Sequence, residues 1–142
     1  MVDSTRYRIS LRITHPSIRG DEINAELGLT PKISYTVGDR RLTPKGHELP
    51  GIRKESFWCY ELASHDEPFE IAISNFSKEL AKHKSFLDRL SATGGRLEYF
   101  IGWFSFENSG SVLEEGLLKL LADLKINLAF DIYPELHPAQ LG

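Results

Sequence analysis

One stretch, Gly94 to Gly110, constrains the fold more than any other part of the chain. It reads GGRLEYFIGWFSFENSG, which is a double-glycine turn, a long aromatic segment and a polar turn. Alternate residues are largely apolar on both faces, a pattern typical of a strand that is covered on both sides. We therefore expect this segment to be the central strand of a sheet.

Other segments alternate with the two-residue period of a strand. Residues 6–14 place Tyr7, Ile9, Leu11 and Ile13 on one face and polar residues on the other. Residues 56–63 and 126–133 alternate in the same way, and residues 33–37 are predicted to form a brief strand. Residues 38–55 lack periodicity and are predicted to form an ordered loop.

Helical spacing of apolar residues predicts three helices. The first follows His15 and ends at Gly28, where a left-handed residue commonly ends a helix. The second and longest runs from Glu67-Pro68 to the double glycine at 94–95. The third begins at an S-x-x-E capping box formed by Ser111 and Glu114.

This order of elements predicts an α+β fold, a two-layer sandwich in which helices cover one face of a mixed or antiparallel sheet, as a ferredoxin-like variant. The length predicts a single domain over residues 1–142, with an ordered core at about 6–134 and a loose C-terminal tail. The other sheet face is predicted to be open, with aromatic rings among polar side chains, which often marks a contact surface. It comprises Arg6, Arg8, Ser10, Arg12, Phe57, Cys59, Glu61, Phe100, Phe104, Asp131 and Tyr133.

Composition excludes several classes of protein. The chain is 41% hydrophobic and 26% charged, as in ordinary globular proteins, and has no apolar run long enough to span a membrane. The first residues alternate where a signal peptide would be continuously apolar, so we expect a cytoplasmic protein. Cys59 is the only cysteine, which excludes an intramolecular disulfide.

Charge is distributed unevenly along the sequence. Residues 32–54 carry a net charge of +4, whereas the rest of the chain carries −7. A basic loop on an acidic body can orient an anionic partner better than the net charge of −3 suggests.

No motif predicts catalysis. The five histidines are scattered without metal-ligand spacing, so neither a metal nor a cofactor is expected. No G-x-S-x-G elbow accompanies the serines, and GDRRLTPKG lacks the ending of a P-loop.

The leading hypothesis is a non-enzymatic, self-associating protein that uses the basic loop to hold an anionic small molecule or an acidic protein surface. Arginine forks, a lysine and nearby indole and amide groups are suited to carboxylate or phosphate. The predicted binding residues are Arg40, Arg41, Lys45, His47, Arg53, Trp58, Trp103 and Asn108.

Three alternatives stay open. An enzyme acting on an anionic small molecule would use Arg40 or Arg53 as a clamp and Glu107 or His47 as acid or base. Single-stranded nucleic acid could bind the open face, although the chain lacks the RNP1 pattern and a basic net charge. A homodimer formed by face-to-face sheet packing would bury the same aromatic residues, and the sequence favours this account of the open face over nucleic-acid binding.

Several linked motifs resemble those of a known family. They are HPS followed by DEINAELGL-x-P, then GDRRLTPKGHELPG, RKESFW, GGRLEYFIGWFSFENSG and LADLKINLAFDIYP. Over about residues 8–134 the chain resembles the bacterial family called domain of unknown function 4279. The resemblance implies a small bacterial, cytoplasmic, single-domain protein, and it assigns no activity, cofactor or catalytic residue.

Overall fold

Seven strands and four helices are present in the computed structural model, which describes residues 6–62, 67–105 and 107–134. The strands are β1 (Arg6–His15), β2 (Ile33–Tyr35), β3 (Arg40–Leu42), β4 (Glu48–Ile52), β5 (Ser56–Glu61), β6 (Arg96–Ser105) and β7 (Ile126–Pro134). The helices are α1 (Gly20–Leu27), α2 (Phe69–Leu80), α3 (Lys84–Ala92) and α4 (Glu115–Asp123), with a 3-10 turn at Ala81–His83. The predicted α+β class is confirmed, and the predicted C-terminal tail lies outside the described residues.

Five strands form one mixed sheet in the order β2-β5-β1-β6-β7. β1 pairs antiparallel with β5 and β6, while β6 and β7 run parallel and are joined through α4. β6 is an interior strand, as its two apolar faces suggest, but the middle strand is β1 rather than β6. The simple alternation of β1 arises because only one of its faces packs against the helices.

The core lies between one sheet face and the helices. Leu11, Trp58, Tyr99 and Ile101 are fully buried there, together with apolar side chains of all four helices. The Tyr99 hydroxyl shares a 2.7 Å hydrogen bond with Ser77 Oγ, and burial raises the pKa of Tyr99 above its ordinary value. The apolar faces predicted for β1, β5 and β6 therefore meet the helices.

A polar clasp at His15 joins the end of β1 to the turn between α3 and β6. His15 Nδ1 accepts hydrogen bonds from the backbone N–H groups of Ser17 at 3.0 Å and Ile18 at 2.9 Å. Its Nε2 lies 2.7 Å from Thr93 Oγ1, and that hydroxyl donates to the carbonyl of Arg89. With Nδ1 accepting twice, the ring is neutral and Nε2–H donates to Thr93.

The predicted long helix between Glu67 and Gly94 is instead two helices. The 3-10 turn separates α2 from α3, and the backbone at His83 departs from helical values with φ −113° and ψ 25°. The bend lets α3 bury Phe86 and Leu87 against the same core as Leu80. The apolar spacing continues through the turn, so periodicity could not reveal it.

Residues 38–55, predicted to be a loop, form a hairpin of β3 and β4. The Thr43 N–H donates to the carbonyl of His47 at 2.8 Å, and Gly46 at the turn has φ +86°. Every residue of both strands is exposed. Because neither face of the hairpin is buried, its sequence carries no alternation that would reveal strands.

The predicted capping box at Ser111 and Glu114 is also wrong. α4 begins at Glu115, after an extended Glu114, and no side chain caps its first turn. Ser111 Oγ donates instead to Glu70 Oε2 at 2.9 Å, which ties the segment before α4 to α2.

Candidate functional site

The sheet face opposite the helices, called the open face below, carries the side chains that the alternation of the strands predicted. Strand register aligns Glu61 with Ser10 and Phe100, and it aligns Arg6 with Phe104 and Tyr133. From strand to strand the face presents Ile33 and Tyr35, Phe57, Cys59 and Glu61, Arg6, Arg8, Ser10 and Arg12, Phe100, Gly102 and Phe104, and Asp131 and Tyr133.

A concave pocket of about 250 Å³ lies on this face. Basic side chains of β1 and the segment before β2 and aromatic side chains of β6 and β7 line it, including Arg8, Arg12, Lys32, Phe100, Phe104 and Tyr133. Gly102 keeps the floor open, since a Cβ there would lie 3.4 Å from the Phe104 ring and 3.8 Å from the Arg8 Cβ. A pocket of this volume accommodates a single anionic group or one planar ring.

Three arginines of the open face lie over aromatic rings. The guanidinium carbon is 3.7 Å from the ring centroid for Arg12 over Phe100 and 3.8 Å for Arg53 over Tyr35. The same distance is 5.8 Å for Arg6 over Phe104. Stacking of this kind is attractive and holds the planar group in one orientation.

The two closest stacks also leave polar atoms unsatisfied. The Nε atoms of Arg12 and Arg53 are buried and have no hydrogen-bond partner within the described part of the chain. A buried donor without a partner costs free energy. Because both side chains are only half-buried, an oxyanion would bind their terminal Nη donors rather than the enclosed Nε atoms.

Some charge on the open face is already compensated. Lys32 Nζ lies 2.8 Å from Glu61 Oε2, and this hydrogen bond lowers the pKa of Glu61 below its ordinary value. The Tyr133 hydroxyl donates to Asp131, and that bond raises the pKa of Tyr133. In contrast, Arg8 and Arg12 form no ion pair with any described residue, so their charges remain available at the pocket.

The hairpin residues predicted to bind a ligand lie beyond one end of the sheet. Arg40 pairs with Glu48 of the neighbouring strand, and Arg41 Nη1 lies 3.3 Å from the carbonyl of Pro50. Lys45 and His47 lie at the exposed turn. Two of the predicted cations are thus engaged within the hairpin itself.

The remaining predicted residues are dispersed. Trp58 is fully buried, and its indole N–H donates to Asn24 Oδ1 at 2.7 Å, so it belongs to the core. Trp103 packs on the helix side and donates to Ser109 Oγ at 2.8 Å. Asn108 follows β6, at the end of the sheet opposite the hairpin. Of the eight predicted residues, Arg53 is the one that contacts the open face.

The same separation applies to the residues considered for catalysis. Glu107 follows the end of β6, which pairs with the start of β1, whereas His47 precedes β5, which pairs with the end of β1. The structure does not bring this acid and this histidine together.

The predicted binding residues do not include six that line the pocket, namely Arg8, Arg12, Lys32, Phe100, Phe104 and Tyr133. The alternation of β1 already places three arginines on the face opposite its apolar residues. Residues 32–54 hold six basic residues close together, whereas the arginines of β1 are separated by intervening residues, so charge density alone favours the hairpin.

Across residues 6–62, 67–105 and 107–134, no group of three or more His, Cys, Asp or Glu side chains could hold a metal ion. In the same ranges no helix is both long enough and apolar enough to cross a membrane.

Comparisons with known proteins bear on family rather than activity. No curated protein matches the chain, and no solved structure matches it. A family model described as "Domain of unknown function (DUF4279)" matches residues 5–135. Since that match spans most of the sequence and includes every described strand and helix, the chain belongs to the domain of unknown function 4279 family.

Proposed function

We propose that this protein is a non-catalytic binding protein whose open face holds an anionic group of a small molecule or a macromolecular partner. The observation that carries the proposal is that Arg12 and Arg53 are stacked on aromatic rings and form no ion pair with any described residue. Arg8, which lines the same pocket as Arg12, adds a charge without an ion pair among the described residues.

Guanidinium chemistry explains why the anion would be a carboxylate or phosphate. A guanidinium presents its donors in a planar fork that matches two oxygens of such a group. Stacking on Phe100 fixes the orientation of the Arg12 fork before a ligand arrives, so less conformational entropy is lost on binding.

The hairpin has a secondary role in this proposal. Arg40 and Arg41 already contact Glu48 and the Pro50 carbonyl, so a ligand must compete with these partners. Their charges still attract an anion over several ångströms, an effect that salt screens. The hairpin therefore raises the encounter rate, and the open face holds the ligand.

The family resemblance adds a bacterial and cytoplasmic setting to the proposal. Cys59 is a buried free thiol, which is compatible with a reducing compartment.

An NMR titration with inorganic phosphate tests the proposal. We expect saturable shifts of the backbone amides around Arg12, Phe100 and Gly102, and we expect their loss in the Arg12→Ala variant. Lys119→Ala is the matched control, because Lys119 is an exposed cation of α4 on the opposite layer. Exchanging both hairpin arginines for glutamate should weaken phosphate binding less than Arg12→Ala does. Shifts distributed evenly over all cationic residues, or no saturation, would refute an open-face site.

A further inference from the structure

We infer that the open face binds single-stranded nucleic acid, an inference that rests on the proposed anion site and specifies its ligand. The observation behind it is the arrangement of the three arginine–ring stacks. They lie in separate rows of one sheet face, from Arg53 on Tyr35 at one end to Arg6 on Phe104 at the other.

The spacing of these rows fits a chain rather than one small ion. Residues on one face of a strand recur about every 6.8 Å. Phe57 shares a row with Thr14, Phe100 shares one with Ser10, and Phe104 shares one with Arg6. Rings therefore occupy every second row, about 13 Å apart. A polymer lying parallel to β1 on this face would meet a ring, an arginine and a ring in succession.

The rings distinguish nucleic acid from an acidic polypeptide. Carboxylate side chains need only the arginines, whereas nucleotides also offer a flat base that stacks on aromatic rings or guanidinium planes. On this face two of the rings that lie beneath an arginine also stack on a second aromatic ring. Phe104 lies 4.7 Å from Tyr133, and Tyr35 lies 5.5 Å from Phe57. The face thus provides layered stacking platforms.

Local charge favours a polyanion despite the acidic chain. Among the described residues, the strands and the pocket of this face carry Arg6, Arg8, Arg12, Lys32 and Arg96 against Glu61, Glu98 and Asp131, and Arg53 joins the basic residues by stacking on Tyr35. The net charge of the face is therefore positive, although that of the chain is −3. Single strands are favoured over duplexes because a sheet reaches bases only when they are unpaired.

Fluorescence anisotropy with labelled oligouridylate and oligothymidylate tests this inference on the full chain at low salt. Phe104→Leu retains an apolar side chain without a stacking face, and we expect about tenfold weaker binding. Arg12→Ala should weaken binding and reduce the slope of log K against log salt by about one. Lys119→Ala should leave both the affinity and the slope unchanged, and thermal melts should show that each variant is folded.

Competitor ligands distinguish the nucleic-acid inference from the anion site on which it rests. Poly-L-glutamate that binds as tightly as the oligonucleotides, with no effect of Phe104→Leu, would overturn the nucleic-acid inference and leave the anion site standing. Equal affinity for a matched duplex would overturn it too. Absence of binding to oligonucleotides, poly-L-glutamate and inorganic phosphate alike would refute both proposals.

Discussion

At the scale of single residues, several motif positions support the fold rather than a ligand. His15 accepts two backbone hydrogen bonds, and Ser56 Oγ donates to the carbonyl of Ile18 while accepting from the N–H of Val37. Asn24 accepts from the indole of Trp58. These three side chains thus find their hydrogen-bond partners within the fold, as polar groups in a packed interior generally do.

The His15 clasp predicts a specific dependence of stability on pH. Burial lowers the pKa of His15 below its ordinary value of 6.5, because a proton on Nδ1 would displace both backbone donors. The unfolded chain therefore binds the proton more readily, so the free energy of unfolding should be constant above about pH 7 and fall below about pH 6.5. Urea denaturation at a series of pH values measures this.

His15→Asn is the matched variant for that experiment. Its side-chain oxygen can accept from the same backbone N–H groups but has no proton to gain near neutrality. The variant should lose the decline between about pH 6.5 and 5 that the native chain shows. An unchanged decline in the variant would assign the effect to another group.

At the scale of elements, periodicity predicted the strands and helices that pack against the core but not the exposed hairpin or the exact ends of the helices. β1 was predicted nearly to the residue, because its alternation between buried and open faces is regular. The β3–β4 hairpin was not, because both its strands are exposed and only glycines with positive φ, such as Gly46, mark it. The 3-10 turn at Ala81–His83 and the true start of α4 depend on packing between distant elements, which a local pattern does not contain.

Substitution by alanine should change the free energy of unfolding in opposite directions at two glycines, one directly before β6 and one within α4. A Cβ at Gly95 would lie 2.6 Å from the Leu90 carbonyl oxygen and 2.9 Å from His15 Cδ2. Gly95→Ala should therefore lower the free energy of unfolding by roughly 1–3 kcal/mol. Gly116 lies in α4 with open space around it, so Gly116→Ala should raise that free energy by up to about 1 kcal/mol. Chemical denaturation of both variants measures the contrast, and equal effects would contradict the packing described at the α3–β6 turn.

At the scale of the whole molecule, the sheet separates two kinds of surface. The helical layer closes the core, while the open face collects arginines and rings from all five strands of the sheet and from the base of the hairpin. Sequence alternation placed the residues of this face together correctly. It could not show that the guanidinium groups lie on the rings, because side-chain rotamers across neighbouring strands depend on register.

This charge separation bears on self-association. Packing two open faces against each other would bring the basic residues of both copies together without enough acid to neutralise them. We therefore expect the protein to be monomeric at low salt, with any face-to-face dimer strengthened as salt screens the repulsion. Light scattering over a salt series measures the mass, and a dimer that is stable at low salt and disrupted by Phe104→Arg would contradict this expectation.

The position of β1 in the middle of the sheet has a consequence for how the chain is made. Both neighbours of β1, the strands β5 and β6, come later in the sequence. A ribosome therefore releases β1 well before either hydrogen-bonding partner exists, and its apolar face stays uncovered in the meantime. The Nε2 hydrogen bond of His15 reaches a residue 78 positions away, so the clasp also forms late. We therefore expect the sheet to form only after translation has passed β6.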